Sequence, residues 1–211
     1  MKKTLTLSDS QLNMVSQTTL SHYNQNAQSF WQGTKDHDVT QNYAALLTQF
    51  DAGAKLDILD FGCGPGRDVS YFKSLGHRVV GLDGSLEFCD MARELTGCEI
   101  LNQSFLELDL PRNQFDGVFA NASLFHVPKQ SLVNVLTQIK DSLKPGGILF
   151  SSNPRGSGEG MNNGRYGNYI EFEEASACLN EAGFEVLSHY YRPQGLPLEQ
   201  QPWLAIVSRR V

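Results

Sequence analysis

The chain alternates between short apolar runs and stretches whose apolar residues recur with helical spacing. The apolar runs predict five strands, at residues 56–61, 78–83, 98–101, 114–120 and 148–152. Helices are predicted at 68–75, 85–93, 129–143 and 172–182, and a terminal pair of strands at 184–191 and 203–210. This alternation is typical of an α/β domain. We therefore expect a seven-stranded, mostly parallel sheet with an antiparallel terminal hairpin and helices on both faces.

The first 50 residues are polar and mostly helical in pattern. Ser8-Asp9-Ser10 can cap a helix that reaches about Leu20, and a second helix is predicted from Val39 to Phe50. We expect residues 1–50 to form a helical cover over the site of a binding domain at 51–211, the two together making one structural domain.

Two groups of side chains in this cover are candidates for ligand contacts. Tyr23, Phe30 and Trp31 either contact a cofactor or substrate or anchor the cover to the core. The run Asp36-His37-Asp38 has metal-ligand residue types, but three adjacent residues cannot all face one ion in regular structure. We expect no metal, a helix cap at Asp38 and a substrate contact from Asp36.

Composition and charge disfavour several kinds of partner. The 211 residues have a formal net charge of −6 and no Lys/Arg cluster longer than a pair, so nucleic acid is not expected. No run reaches membrane-spanning length, and the start Met1-Lys2-Lys3-Thr4-Leu5 lacks the apolar core of a signal peptide. The four cysteines include no C-x-x-C pair, which disfavours a zinc site or a disulfide framework. These features predict a cytoplasmic protein that acts on small molecules and does not bind membranes.

The most informative stretch, Asp60-Phe61-Gly62-Cys63-Gly64-Pro65-Gly66-Arg67-Asp68, joins the first strand to a helix. Such a turn presents bare backbone amides and the positive end of a helix to a ligand. Arg67 stands where a dinucleotide fingerprint requires its third glycine, and no P-loop sequence occurs. Asp60 would repel a diphosphate and attract an ammonium or sulfonium group. Asp83, at the end of the next strand, lies where such folds bind ribose hydroxyls.

This stretch, followed by Asp83, resembles the first motif of the class I S-adenosylmethionine (SAM) dependent methyltransferases, which have a Rossmann-like fold. The resemblance implies SAM as cofactor and S-adenosylhomocysteine as product. It places the adenine ring at the turn Gln103-Ser104-Phe105, although many relatives have an acid where Ser104 stands. The residues expected to bind the cofactor are Asp60, Gly62, Cys63, Gly64, Arg67, Asp68, Asp83, Gly84, Ser104, Phe105 and Asn121.

Two later segments are expected at the reaction site, because ligands of open α/β sheets lie outside the carboxyl ends of the strands. Residues 121–128 follow the fourth strand and lack the Asn/Asp-Pro-Pro-aromatic motif of enzymes that methylate nucleobase amines. Within them, His126 is either a general base with a pKa near working pH or a buried histidine bonded to backbone or ribose. The polar segment 156–167 holds five glycines and is expected to be a flexible lid.

A narrower resemblance covers nearly the whole chain from about residue 20. It is carried by Tyr23-Asn24, Asn26-Ala27, Phe30-Trp31, Gly33-Thr34, Asp36-His37-Asp38, the glycine stretch, Phe115 to Pro128, Ser151 to Gly156, Gly164 to Gly167, His189 to Pro193, Gly195 to Pro197, and Gln200 to Ala205. These stretches resemble the 4-mercaptohistidine (5-thiohistidine) N1-methyltransferases that form the C-terminal domain of ovothiol synthase. The resemblance implies methyl transfer from SAM to an imidazole nitrogen of 5-thiohistidine, giving ovothiol A. The family's usual sulfoxide synthase half has no counterpart in this sequence, so a separate protein is expected to supply the acceptor.

An amino-acid acceptor needs a cation for its carboxylate, and Arg155 or Arg165 is expected to bind it, unless Arg165 is a solvated lid residue. Tyr190, Tyr191 and Arg192 are candidates for contacts with the ring or thiol. The expected catalytic residues are Asn121, His126 and Tyr23. The expected substrate contacts are Trp31, Asp36, Asn153, Arg155, Arg165, Tyr166, Tyr169 and Tyr190.

Other functions stay open on the sequence. One is a SAM-dependent methyltransferase of another small acceptor, such as selenohistidine, histidine or another amino acid. A second is a non-catalytic SAM-binding partner subunit, against which Asn121, His126, Asn153 and Arg155 argue as a complete acceptor-side set. A nicotinamide oxidoreductase is disfavoured by Arg67.

Overall fold

A computed structural model describes residues 6–211, so the segment used for the signal-peptide expectation, residues 1–5, lies outside the described residues. The helices are α1 (Asp9–Gln25), α2 (Ala27–Thr34), α3 (Thr40–Leu47), α4 (Arg67–Ser74), α5 (Leu86–Thr96), α6 (Lys129–Ser142) and α7 (Phe172–Glu181), with 3-10 turns at Leu124–His126 and Leu198–Gln200. The strands are β1 (Asp57–Phe61), β2 (Arg78–Asp83), β3 (Glu99–Asn102), β4 (Phe115–Asn121), β5 (Leu143–Pro154), β6 (Gly158–Asn162), β7 (Arg165–Tyr169), β8 (Phe184–Arg192) and β9 (Trp203–Arg210).

Seven strands form one sheet in the order β3-β2-β1-β4-β5-β9-β8. The pairs from β3 to β5 are parallel, while β9 runs antiparallel to both β5 and β8. The order turns back on itself at β1 and β4, and this switch point is where open α/β sheets bind their ligands. The predicted seven-stranded, mostly parallel sheet with its antiparallel terminal pair is confirmed.

Two of the helices, α1 and α5, begin where a serine side chain accepts from a free backbone amide. Ser8 caps α1 with a capping box, in which its hydroxyl accepts from the Gln11 amide and the Gln11 side chain accepts from the Ser8 amide. Ser85 caps α5 in a similar way, by accepting from the Phe88 amide. Gly97 then ends α5 in the left-handed conformation, with φ of 63°.

Each face of the sheet has its own apolar core, as a sheet between two helical layers requires. One core joins Leu59 and Phe61 to residues of α6 and α7. The other joins Ile58 to α3, α4 and α5, with Leu46 and Phe72 fully buried. The prediction of helices on both faces is confirmed. Because α3 belongs to this second core, it packs on the sheet and not only over the site.

Segment 156–167 differs from the flexible loop expected from the sequence. The strands β6 and β7 pair antiparallel from Gly158 to Tyr169, so the expectation of an irregular loop is wrong. The turn between them is Asn163-Gly164, with φ values of 49° and 77°. Two successive positive φ angles are what a two-residue hairpin turn of type I′ requires, and Asn-Gly is its preferred sequence. The hairpin packs on α1, where the Tyr166 amide donates to Thr19 Oγ1 at 2.9 Å.

The predicted ends of several elements also shift. α1 continues to Gln25 instead of Leu20, and α3 ends at Leu47 instead of Phe50. β5 begins at Leu143, where the sequence predicts the end of a helix and a Gly-rich stop. Among residues 6–211, no helix combines the length and the apolar character needed to cross a bilayer.

Candidate active site

One large cavity of about 760 Å³ lies at the carboxyl ends of β1, β2 and β4 and is roofed by α1 and α2. This volume is within the usual range of about 300–1,000 Å³ for small-molecule sites. Most of the predicted cofactor residues line it, namely Gly62, Cys63, Gly64, Arg67, Asp68, Asp83, Gly84, Phe105 and Asn121. So do all three predicted catalytic residues, Tyr23, Asn121 and His126.

The glycine loop after β1 is held by backbone hydrogen bonds that only glycine permits at its first position. The amides of Gly62 and Cys63 donate to the Leu82 carbonyl at 2.7 and 3.0 Å. Gly62 has φ of +81°, and a Cβ there would lie 2.3 Å from the Ser123 Cβ. Gly66, with φ of +97°, then starts α4. The loop therefore lies against the end of β2, with its amides bonded to Leu82 and Asp83, and brings its backbone and the N-terminus of α4 to the cavity wall.

Asp83 ends β2 with its carboxylate at the cavity wall. One oxygen accepts from the Gly64 amide at 3.0 Å and the other accepts from the Ser85 amide at 2.8 Å. Burial raises the pKa of Asp83 to about 6, although these backbone bonds lower it. The carboxylate fixes the glycine loop against the start of α5, and its remaining lone pairs are available to hydroxyl donors in the cavity.

Asp60 does not reach the cavity. Its side chain is 1% exposed, lies beneath the glycine loop, and has one oxygen without a hydrogen-bond partner among the described residues. Burial first, and the negative charge of Asp68 second, raise the pKa of Asp60 well above its usual value. The expected direct attraction between Asp60 and a ligand therefore has no contact to act through.

A network of polar side chains joins the loop to the acceptor half of the sheet. The Arg67 guanidinium forms a bidentate pair with Asp68, at 2.6 and 2.9 Å. Asp68 also accepts from the Tyr43 hydroxyl at 2.6 Å and from the Asn121 amide at 3.3 Å. Asn121 in turn accepts from Asn42 at 2.9 Å. The network orients Arg67 and Asn121, so both side chains face the cavity with fixed geometry.

The turn expected to meet adenine presents Phe105 rather than Ser104. Phe105 lines the cavity and stacks on Phe61, with the ring centroids 4.4 Å apart. The Ser104 hydroxyl lies 3.3 Å from that of Ser16 and is not part of the cavity wall. An apolar ring therefore offers the surface on which a base can stack, and the predicted bond from Ser104 has no support in the geometry.

Tyr23 and His126, which both line the cavity, form a hydrogen-bonded pair. The Tyr23 hydroxyl lies 2.7 Å from His126 Nε2, and His126 Nδ1 lies 2.6 Å from the Tyr166 carbonyl oxygen. A carbonyl only accepts, so Nδ1 carries the proton and Nε2 accepts from the Tyr23 hydroxyl; we assign the tautomer on this ground. Burial lowers the pKa of His126 to about 4 and raises that of Tyr23. The pair is therefore neutral at neutral pH, which does not favour a histidine base with a pKa near 7.

The structure brings only two of the eight predicted substrate contacts to the cavity, Trp31 and Arg165. Arg165 Nη1 donates to the Tyr23 hydroxyl at 3.3 Å. The side chain of Asp36 is 82% exposed and pairs with Lys35. Asn153 accepts from the Phe125 amide at 3.1 Å, behind the cavity wall. These last two are held by neighbours that sequence spacing does not reveal.

The other four predicted contacts also have partners outside the cavity. Arg155 pairs with Glu171 at 2.8 Å and donates to the Leu198 carbonyl at 3.1 Å. The Tyr166 hydroxyl donates to Glu159, and that of Tyr190 donates to Asn42 at 3.0 Å. Tyr169 packs beside Phe125, with the ring centroids 6.2 Å apart. In this arrangement Arg155 fastens the segment after β8 and is not placed to bind a carboxylate.

Several lining residues were not expected from the sequence. Thr19 and Leu20 of α1 and Trp203 of β9 contribute to the wall, and Arg192, considered only for ring or thiol contacts, enters it from β8. Helical spacing places Thr19 and Leu20, four and three residues before Tyr23, on the same face of α1, and the sequence does contain this signal. No group of three or more potential metal ligands occurs within residues 6–211.

Comparison with known proteins agrees with this geometry. Residues 58–147 match the family described as a methyltransferase domain. Sterol 24-C-methyltransferase of Gibberella zeae is 26% identical over 200 residues, which cover 80% of this chain and 49% of that protein. Sterol 24-C-methyltransferase of Yarrowia lipolytica is 32% identical over 132 residues, covering 58% of this chain and 32% of that protein. The chain thus spans about half or less of the length of these two curated relatives.

A solved structure matches over nearly the whole chain. It is the 1,6-didemethyltoxoflavin-N1-methyltransferase of Burkholderia thailandensis, with bound 1,6-didemethyltoxoflavin and S-adenosylhomocysteine. The TM-score is 0.80 at 22% identity, covering 98% of this chain and 92% of that one. The likeness establishes the fold. The family match covers residues 58–147, which contain the glycine loop and Asp83, so this part of the chain resembles a methyltransferase domain. SAM is the cofactor that these findings support.

Proposed function

We propose that the chain transfers the methyl group of SAM to an imidazole nitrogen of 5-thiohistidine, giving ovothiol A and S-adenosylhomocysteine. The observation that carries this proposal is the composition of the acceptor end of the cavity. It combines the neutral Tyr23–His126 pair with the Arg165 guanidinium, which has no carboxylate partner among residues 6–211. Such a wall suits a small, polar, anionic acceptor. The sterol acceptors in the names of two relatives have no anionic group to use it.

The resemblance of residues 23–38, 115–128 and 189–205 to the 5-thiohistidine methyltransferases supports the acceptor's identity. The Burkholderia neighbour is itself named as an N1-methyltransferase. The proposal includes a separate sulfoxide synthase that supplies 5-thiohistidine, and a cytoplasmic location in keeping with the four free cysteines at 63, 89, 98 and 178.

The chemistry asks the protein mainly to position two reactants. When bound, SAM supplies a sulfonium methyl that is already electrophilic. Alignment of an acceptor nitrogen with it can contribute roughly 7–11 kcal/mol by proximity alone. The Tyr23 hydroxyl donates a hydrogen bond to His126 Nε2, so the lone pairs of the Tyr23 oxygen are available to Arg165 and to the cavity. That oxygen can accept from the N–H of the acceptor ring, which leaves the other ring nitrogen unprotonated for methyl transfer.

The same contact explains how the site would select nitrogen over sulfur. The thiolate of 5-thiohistidine is a stronger nucleophile than its ring nitrogen, so reactivity alone would give the wrong product. A ring held at its N–H by Tyr23 has a fixed orientation, and geometry then decides which atom meets the methyl group. His126, neutral through its low pKa, adds no positive charge that would oppose the sulfonium.

The test is a mass-spectrometric assay with SAM and enzymatically made 5-thiohistidine, run beside histidine and 5-selenohistidine. We expect a product heavier by one methyl group that still reacts with a thiol-alkylating reagent, because methylation on nitrogen leaves sulfur free. Tyr23→Phe should lower kcat by up to about tenfold, the worth of one neutral hydrogen bond, whereas Tyr71→Phe, outside the cavity, should not. No heavier product despite SAM binding would refute the proposal and favour a non-catalytic SAM-binding subunit. Preference for another acceptor would favour a methyltransferase of that compound.

A further inference from the structure

Arg192 stands at the acceptor side of the sheet. It is the last residue of β8 and pairs with Trp203 of β9. In the strand order, β8 lies four positions from β1, beyond β4, β5 and β9. The side chain nevertheless lines the same cavity as the glycine loop. Arg192 therefore lies on the acceptor side of the cavity and not in the half that would bind the adenosine of the cofactor.

The hydrogen bonds of Arg192 are incomplete. Nη2 donates to the Ser152 hydroxyl at 2.9 Å, while Nε is buried and has no partner among the described residues. The guanidinium lies 5.6 Å from the centroid of the Trp203 ring and forms no ion pair within residues 6–211. Burial lowers the pKa of Arg192, which is the mark of a charge without compensation. The side chain is partly buried, and its buried Nε–H has no acceptor among the described residues, a state that favours an anion in the cavity.

The other arginines of this region already have partners. Arg67 forms its bidentate pair with Asp68, and Arg155 pairs with Glu171. Arg165 lies over the Tyr23 ring and donates to its hydroxyl. Arg192 differs in that its unused Nε–H is buried, beside an Nη2 group, and these two form the fork that binds the two oxygens of a carboxylate in parallel.

We propose that Arg192 binds the carboxylate of an amino-acid acceptor and so makes the enzyme selective for carboxylated acceptors. This inference deepens the proposed function and rests on it. The methionine part of SAM also carries a carboxylate. We assign the acceptor's carboxylate to Arg192 because Ser152 and Trp203, its two neighbours, belong to β5 and β9, outside the β1–β4 switch point.

The experiment compares ligand pairs that differ only in the carboxylate. Calorimetry on protein saturated with S-adenosylhomocysteine measures binding of 5-thiohistidine against 5-thiohistamine, and of L-histidine against histamine. The variants are Arg192→Gln, Arg192→Lys and, as the matched control, Arg112→Gln, whose side chain is 81% exposed.

We expect the wild type to prefer the carboxylated member by about 10- to 100-fold, the worth of a charged hydrogen-bonded contact. Arg192→Gln should abolish this preference, Arg192→Lys should keep part of it, and Arg112→Gln should leave it unchanged. The affinity for S-adenosylhomocysteine should stay the same in all of them, which also shows that the variants are folded.

Two results would overturn the inference. One is a carboxylate preference that survives in Arg192→Gln or is absent from the wild type. The other is a selective loss of S-adenosylhomocysteine affinity in Arg192→Gln, which would assign the cofactor's carboxylate to this arginine. A wild type that methylates 5-thiohistidine but shows either result keeps its proposed function. A wild type that fails to methylate 5-thiohistidine loses that function, and the L-histidine and histamine pair then decides the role of Arg192.

Discussion

The raised pKa of Asp83 makes cofactor affinity depend on pH in a direction that the structure fixes. The carboxylate lines the cavity at the end of β2, where this fold binds the ribose hydroxyls. Only the ionised form can accept from both hydroxyls while it also accepts from the amides of Gly64 and Ser85. Cofactor binding therefore favours ionisation and lowers the pKa of Asp83 in the complex. By linkage, affinity falls as the pH drops through the pKa of the free protein.

The size of the effect follows from that pKa of about 6. At pH 7.5 nearly all of the carboxylate is ionised, whereas at pH 5 only about a tenth of it is. Affinity should therefore fall about tenfold between these two pH values, which is about 1.4 kcal/mol. Asp83→Asn removes the titrating group, so the affinity of that variant should be the same at both pH values. It should also be about 10- to 100-fold weaker than the wild type at pH 7.5, because a charged acceptor is lost.

The assay is calorimetric titration with S-adenosylhomocysteine from pH 5 to 7.5, in buffers with different heats of ionisation so that proton release is measured directly. Burial raises the pKa values of Asp60, Cys63 and Cys89, and the charge of Asp83 raises them further. The comparison with Asp83→Asn separates the titration of these three groups from that of Asp83. The exposed Asp51, replaced by Asn, is the control for a loss of negative charge. A wild-type affinity that changes less than about twofold over this range, or a step that persists in Asp83→Asn, would refute the reasoning.

Two further predictions concern stability. Tyr43→Phe removes the 2.6 Å hydrogen bond to the buried Asp68 carboxylate and should lower the free energy of unfolding by about 1–3 kcal/mol in urea denaturation. The control is Tyr71→Phe, because Tyr71 stacks on Tyr43 but its hydroxyl has no hydrogen bond among the described residues. An equal loss in Tyr71→Phe would contradict this prediction. Gly62→Ala should destabilise the protein by about 1–3 kcal/mol more than Gly53→Ala, because both glycines have φ near +80° but only the first Cβ meets another atom. Equal melting temperatures for the two alanine variants would show that the close approach is relieved without effect.

The cofactor half of the site could be predicted because it is local in sequence. A strand, a glycine loop and a helix are contiguous, so the spacing from Gly62 to Asp83 already places the ligand. Asp60 shows where this reasoning ends. Strands of a parallel sheet are buried on both faces, so sequence does not tell which face has room for a ligand. Asp60 lies on the same face of β1 as Ile58 and is buried in the protein interior. The cavity for the ligand is lined instead by the glycine loop that follows β1.

The acceptor half could not be predicted in the same way, because it is assembled from distant segments. Tyr23, His126 and Arg165 meet only after α1 and the β6–β7 hairpin pack together over the 3-10 turn. From the sequence, Arg155 or Arg165 was expected to bind the carboxylate, and Arg192 only to contact the ring or thiol. The pairing of Arg155 with Glu171, and the lack of a carboxylate partner for Arg192 among residues 6–211, are consequences of tertiary packing. The β6–β7 hairpin does have a local signal in the sequence, because Asn163-Gly164 is the preferred sequence of a two-residue hairpin turn.

The charged side chains of the cavity are opposite in sign to the charges of the two reactants in the proposed reaction. Asp83 stands at the end of β2, while the guanidinium of Arg192 reaches Ser152 of β5, three strand-to-strand steps from β2, or roughly 14 Å. The two opposite charges therefore occupy separate positions in the same cavity. The cavity therefore has an anionic group for a cationic sulfonium ligand and a cationic group for the proposed anionic acceptor, and the Tyr23–His126 pair in its wall is neutral. Methyl transfer removes the sulfonium charge, so the electrostatic attraction of the cofactor to Asp83 weakens when the product forms. Such a site binds reactants more strongly than the spent cofactor, and a site with a protonated His126 would lose that advantage.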